Sequence, residues 1–400
     1  MGDHELPIGA RIRSLRGKLL TQQQLADAAQ VSVDLIRKLE QGKRHTASIG
    51  SLHRIARALD VDLSELLARP TSMPSNNPNT GVIAIRDALT SVDDLVQSDV
   101  TGHGQPVTLT EARRIVQYAW GSYWAGRLEQ LGTLIPAGIA QLRATARTAA
   151  AGEHAQAYEL LAQMYCVTRC TVTRLGQPDL AWLAIRNALD AVKHGSDPLL
   201  EAMMRSSAAH LLLTQGRYDE SREVALHAAR QIEPTGNAPL PHMAAYGHLL
   251  LTAASAAGRG QRVREANDLL TTAMHFAERL GGDRNDYETS FGVSQVTMQT
   301  VDVHVVTENY TAALTAAERL PTDTRLPIVS RARNLYDQAF AHTRLGQDQR
   351  ALDAVLAAEH LAPDLMRYHS LPRQIVAELL SHGRNARLRG LARRLGVTGN

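Results

Sequence analysis

The sequence predicts an all-α protein, a small helical head followed by a long array of helix pairs. Three observations carry that expectation. Of 400 residues, 58 are Ala and 53 are Leu, side chains that favour helix. Aromatic residues make up only 4%, and Val, Ile and Thr do not gather into short alternating runs, which argues against a β-sandwich or barrel. Apolar residues instead recur at spacings of three and four along most of the chain. The length fits two or three domains. No uninterrupted apolar stretch reaches the roughly 18 residues of a membrane span, and Met1–Arg16 lacks the apolar core of a secretory signal. Cys166 and Cys170 form no disulfide framework. A reducing, cytoplasmic setting away from membranes is the expectation.

The charge is unevenly placed. Residues 1–70 hold 11 Lys and Arg against 8 Asp and Glu, and the remainder holds 32 of each. Between Arg11 and Arg57 the balance is 10 basic residues against Asp27, Asp34 and Glu40. Such an excess suits phosphate, although a solvated basic surface has the same composition.

The pattern within the head goes further. Ile8–Arg16 reads as an amphipathic helix with Ile8, Ile12 and Leu15 on one face. Thr21 and Gln24 make a capping-box arrangement for a second helix, whose inner face is Leu25, Ala26 and Ala29. Ser32 caps a third helix running to Glu40, with Gly42 as its stop and Leu35, Ile36 and Leu39 as its buried stripe. Val33, Asp34, Arg37 and Lys38 then point outward. A fourth helix runs from about Ile49 to Leu59, and Asp62 and Glu65 cap a fifth that ends near Ala68.

The run Thr21–Arg44 (TQQQLADAAQVSVDLIRKLEQGKR), followed by Ser51–Leu67 (SLHRIARALDVDLSELL), resembles the Cro/cI-type (XRE) helix-turn-helix family. Ala26 holds the small-residue position, and Val31 and Ile36 hold the apolar positions after the turn. Two departures stand out: Gln30 occupies the turn position usually held by Gly, and the loop before Thr21 is one residue short. The resemblance implies binding to double-stranded DNA through Gln22, Ser32, Val33, Asp34, Arg37, Lys38, Lys43 and Arg44. Gln22 would hold a phosphate. Ser32, Val33, Asp34 and Lys38 would face base edges in the major groove, Val33 toward a thymine methyl and Asp34 toward a cytosine amine. Arg37 would reach a guanine edge or the backbone, and Lys43 and Arg44 would contact phosphate. Arg16 and Glu40 resemble a family pair that bridges the first and third helices.

Residues 1–69 are thus the expected DNA-binding domain. Residues 70–81 (PTSMPSNNPNTG), with three prolines, are the expected linker, and 82–400 the expected helical-repeat domain. Val82–Val96 is amphipathic, and a polar loop runs to about Thr108. Leu109–Trp124 follows, bearing Tyr118, Trp120, Tyr123 and Trp124 as a packing seam. Later segments then share one pattern. Gly176, Gly216 and Gly346 are each followed five residues on by a small residue (Ala181, Ser221, Ala351), then by apolar positions four and seven further along. Looser copies centre on Ala266 and Ala313. These runs resemble the tetratricopeptide (TPR) repeat, although the anchor spacings of 38 to 47 residues exceed its usual length of about 34.

The TPR resemblance implies a superhelix whose first helices line a groove. The candidate lining residues are Gln163, Thr173, Arg174, Ser206, His210, His248, Gln295, Asp302, Arg333, Tyr336 and Arg344. The combination resembles actinomycete regulators and peptide-pheromone regulators of Gram-positive bacteria. It implies a homodimeric transcriptional regulator controlled by a signal peptide or small ligand. An adaptor that recruits a protein partner through its helical surface, tethered by DNA binding, is the alternative.

Chemistry is sparse. There is no phosphate loop, no HExxH and no paired CxxC, so no catalytic residue, cofactor or metal is expected. Cys166 and Cys170 read as small core residues. Arg384, Arg387, Arg389, Arg393 and Arg394 form either a solvated terminal helix or a second phosphate contact.

Overall fold

The computed structural model describes residues 7–17, 20–44, 47–59, 61, 63–66, 81–92, 104–321, 324, 326–368, 370–383 and 385–397. It is all-α: among the described residues the only extended pairing is a single bridge between Arg284 and Phe291.

The head is five helices: α1 (Ile8–Arg16), α2 (Gln22–Ala28), α3 (Val33–Glu40), α4 (Ile49–Ala58) and α5 (Leu63–Leu66). Thr21 Oγ1 accepts from the Gln24 amide, and the Gln24 side chain accepts from the Thr21 amide, which fixes the start of α2. Ser32 caps α3 through the Leu35 amide. Ile12, Leu25, Ala26, Ile36, Leu52 and Ile55 close the core at 1% exposure or less. Gly9 is required at the crossing of α1 and α3, because a Cβ there would sit 1.7 Å from the Leu39 carbonyl oxygen. The Asp62 cap, the end of the fifth helix near Ala68 and the linker up to residue 80 lie outside the described residues.

Gln30 is left-handed, with φ 51°, and this lets the Val31 amide donate to the Ala26 carbonyl at 2.9 Å. A side chain in this conformation costs about 1 kcal/mol relative to Gly. Gln30→Gly is therefore expected to stabilise the head by about 0.5–1 kcal/mol, read as a rise in denaturant midpoint at unchanged slope.

After α6 (Val82–Leu89) come six antiparallel pairs. They are α7 (Leu109–Trp124) with α8 (Leu128–Thr148), α9 (His154–Arg174) with α10 (Pro178–Val192), and α11 (Pro198–Thr214) with α12 (Tyr218–Gln231). Then follow α13 (Leu240–Arg259) with α14 (Val263–Leu280), α15 (Val293–Val306) with α16 (Tyr310–Ala317), and α17 (Ile328–Arg344) with α18 (Asp348–Leu361). Helices α19 (Pro363–Tyr368), α20 (Ser370–His382) and α21 (Ala386–Leu395) close the array. The helix expected over Val82–Val96 ends at Leu89, and 93–96 lie outside the described residues.

Every pair turns the same way. The second residue after the first helix is left-handed in each: Gly126, Gly176, Gly216, Gln261, Glu308 and Gly346, with φ between 62° and 75°. The next amide then reaches back five residues, as Gln177 does to Val172 at 2.9 Å, and satisfies a helix-end carbonyl. Five residues after each turn stands an anchor at 0% exposure: Leu131, Ala181, Ser221, Ala266, Ala313 and Ala351. The last five are the anchors expected from sequence. The first pair escaped that pattern because Leu131 is large where the others are small.

Candidate functional site

The outer row of α3 is open to solvent: Ser32, Asp34, Arg37, Lys38 and, just beyond the helix, Lys43 are exposed. Lys38 Nζ lies 2.8 Å from Asp34 Oδ2, and this bond holds the Asp34 carboxyl below its usual range. Val33 is half-buried against the head core, so it stands less far out than its neighbours. Beneath the row, Arg16 grips Glu40 with Nε at 2.8 Å and Nη2 at 3.1 Å, joining α1 to α3. Gln22 Nε2 also donates to Glu40, at 2.7 Å. Burial would raise the Glu40 carboxyl, but its bonds with Arg16 and Gln22 outweigh that and hold it low. Arg44 is turned toward the helical array, with Nη2 3.7 Å from Glu308 Oε1.

The other side of the head rests on the array through α4. Arg57 Nη1 donates to the Gly216 carbonyl at 3.3 Å, and the His53 ring meets Tyr218 edge-on at 5.9 Å. Gly216 has no room for a side chain here, since a Cβ would lie 2.7 Å from His53 Nδ1.

Between α4 and the first helices of the pairs lies a cavity of about 940 Å³. Leu52, His53, Ala56 and Arg57 of α4 border it, as do Trp120, Tyr123 and Trp124 of α7. Of the eleven groove residues expected, Gln163, Thr173, Arg174, Ser206, His210, His248, Gln295, Asp302 and Arg333 line it. Tyr336 and Arg344 do not. On α17 the cavity is lined by Val329, Ser330, Arg333, Asn334, Asp337 and Phe340, and Tyr336 stands at the edge of that face. It is fully buried among the C-terminal pairs, and Arg344, near the helix end, pairs with Glu378.

The cavity floor is a buried charge network. Arg259 donates from Nη1 and Nη2 to the two carboxylate oxygens of Asp302, each at 2.7 Å, and Gln299 Nε2 adds a third bond at 2.8 Å. Arg333 reaches Asp302 at 3.3 Å and Asp337 at 3.6 Å. Burial opposes ionisation of Asp302, but Arg259 and Arg333 prevail and lower its pKa. Asp337 moves the other way, raised by burial and by the neighbouring Asp302 charge.

The aromatic seam on α7 holds for three of its four residues. Trp120 and Tyr123 are buried and Trp120 stacks on Trp124 at 6.1 Å, but Tyr118 is 55% exposed on the opposite side. The two cysteines are buried as expected, yet they stand on the cavity wall.

Two features had no sequence signal. Arg169 of α9 was not among the expected lining residues. The loop between α14 and α15 holds three non-Gly residues left-handed: Tyr287, Glu288 and Ser290, with φ of 51°, 59° and 50°. Phe291 plugs the loop into the core against Gly247, where a Cβ would lie 2.0 Å from its ring. Tyr287, Glu288 and Thr289 are thereby held at the cavity edge. Trp124 Nε1 donates to Glu288 at 2.5 Å, and Tyr287 Oη donates to Asp197 at 2.9 Å. Backbone strain of this kind gathers at ligand clamps and switch regions.

Among the C-terminal arginines, Arg387 pairs with Asp353 at 2.9 Å and Arg394 with Glu359 at 2.6 Å, so both are tied to α18; Arg384 lies outside the described residues. Among the described residues no group of three or more His, Cys, Asp or Glu is placed to hold a metal ion. Nor is any described helix long and apolar enough to cross a membrane.

Residues 7–68 match the family described as a helix-turn-helix domain. No curated protein matches the chain. Among solved structures, PlcR of Bacillus thuringiensis, in complex with the peptide PapR7 and DNA, is 13% identical with a TM-score of 0.33. That similarity covers 78% of this chain and 94% of PlcR. BtubC (BKLC) from P. vanneervenii is 17% identical with a TM-score of 0.35, covering 65% of this chain and 92% of its own.

Proposed function

We propose that the protein is a sequence-specific DNA-binding transcriptional regulator of the XRE type, working as a homodimer and controlled by a peptide or small ligand in the central cavity. The observation that carries this reading is the exposed row Ser32, Asp34, Arg37 and Lys38 on α3, within a head whose residues 7–68 match a helix-turn-helix domain. The second helix of such a unit enters the major groove, and a pair of heads reads half-sites one or more turns of duplex apart.

The cavity supports the control. At about 940 Å³ it falls within the range of roughly 300–1,000 Å³ usual for ligand pockets. Because α4 of the head forms part of its boundary, a ligand that prefers one placement of the head shifts the population toward it. That changes the spacing of two heads on DNA.

The test is selection of a duplex from a random pool by the full-length protein at low salt, followed by gel-shift titration. Enrichment of a two-half-site sequence is the expected result; no enrichment, with no binding to any duplex in dilute buffer, overturns the reading. For Lys43→Ala, a phosphate contact, loss of affinity should be uniform across sequences, and the slope of log affinity against log salt should fall by about one.

A further inference from the structure

Arg169 is 7% exposed on the cavity wall. Its Nη2 donates to Ser207 Oγ at 2.5 Å, and its Nε is buried with no acceptor. The ionisable groups that face it most closely are Cys170, Cys166 and Tyr123, and none is a carboxylate. Two other arginines with buried side chains have carboxylate partners, and a third donates to neutral acceptors. Arg259 has Asp302, Arg344 has Glu378, and Arg143 donates to the Ala88 carbonyl and the Tyr165 hydroxyl. The two thiols and the Tyr123 phenol favour the Arg169 charge, but a buried guanidinium that no carboxylate faces still suits an anionic oxygen.

The surroundings point the same way. Five residues on, Arg174 lies over the Tyr123 ring and donates to its hydroxyl at 3.0 Å. His210, exposed to the open space of the cavity, has its pKa lowered by the helices packed around it and then by the charges of Arg169, Arg333 and Arg259. A hydrogen bond from Cys166, and then the charges of Arg169 and Arg174, lower the Cys170 thiol to about 6 against the opposing effect of its burial.

We infer that this wall is an anion subsite: a ligand entering the cavity sets a carboxylate or phosphate oxygen against Arg169, with Ser207 and His210 beside it. The inference rests on reading the cavity as a ligand site. It adds the chemical class of the ligand, a small molecule or short peptide bearing a terminal or side-chain anion.

The test offers three probes to the full-length protein in equilibrium dialysis. They are a mixture of N-acetylated pentapeptides with free C-terminal carboxylates, the same mixture amidated, and inorganic phosphate. Wild type is expected to retain the carboxylate mixture or phosphate at least tenfold better than the amidated mixture. Arg169→Gln should fall to the amidated level, and Arg169→Lys should keep part of the preference. Preference for the carboxylate mixture identifies an acid or peptide terminus; preference for phosphate identifies a phosphorylated ligand. Unliganded Arg169→Gln should melt no lower than wild type, because it removes a buried charge that no carboxylate compensates; a clear fall would show the charge compensated within the fold and overturn the inference. Equal retention of amidated and free mixtures by wild type and Arg169→Gln alike overturns the anion subsite and leaves the cavity a ligand site. Retention of no probe by wild type overturns both.

Discussion

Replacing Arg37 and Lys38 together by alanine is expected to weaken binding to the selected duplex by about a hundredfold or more, since each base-reading side chain is worth about 1–3 kcal/mol. Both side chains are exposed, and the structural bond at stake is the surface pair from Lys38 to Asp34, so the fold should not change. A circular-dichroism melt that matches wild type keeps the measurement about recognition. Gel-shift titration against the selected duplex and a scrambled one then separates two roles. A loss larger on the selected duplex marks base contacts, and an equal loss on both marks backbone contacts. Unchanged affinity on both would remove α3 as the reading element. The Arg16–Glu40 pair makes a useful contrast. It lies beneath the reading row and ties α1 to α3, so Arg16→Ala should lower head stability before it alters sequence preference.

How far the chain could be read follows from where its information lies. The head was legible almost to the residue, because caps and turn signals are local: Thr21 with Gln24, Ser32 with the Leu35 amide, and the turn at Gln30 all appear where the sequence puts them. The array was legible through its anchors, since close packing of two helices admits only small residues at Ala181, Ser221, Ala266, Ala313 and Ala351. Where a large residue holds the anchor, at Leu131, the repeat went unseen although the turn at Gly126 is the same. The groove was legible as a face but not at its margins: Tyr336, at the edge of the lining face of α17, packs into the core. Arg169 and the strained loop at Tyr287 were not legible at all. Whether a buried arginine has a carboxylate across from it depends on which residues other helices bring there, and that is a property of the packed array.

The largest effect on stability is expected at the cavity floor. Asp302→Ala should cost about 3–5 kcal/mol, the range for removing one partner of a buried ion pair. Asp302 and Arg259 are 7% and 6% exposed, so the guanidinium left behind has little water to turn to. The head should feel the loss as well, because a Cβ on Gly50 of α4 would lie only 3.1 Å from the Arg259 carbonyl oxygen. Chemical denaturation followed by far-ultraviolet circular dichroism measures the cost, and the fluorescence of Trp120 and Trp124 at the cavity edge reports the array itself. Replacing the pair with apolar residues, Arg259→Met with Asp302→Leu, should recover most of the loss, since a buried pair and a well-packed apolar substitute are close in stability. A cost below about 1 kcal/mol for Asp302→Ala would mean the pair is screened like a surface bridge. The acid response has a definite sign. Asp302 is held below the usual carboxylate range, so its contribution is present above the unfolded pKa of about 3.9 and is lost only as pH falls through its lower folded value. Asp337 is raised and does the opposite: its folded form takes up a proton first, so it lends stability as pH falls through its folded value. The network should therefore survive mild acid, and an Asp302→Ala chain, which keeps Asp337 but loses its charged neighbour, should lose the acid-side part of that response.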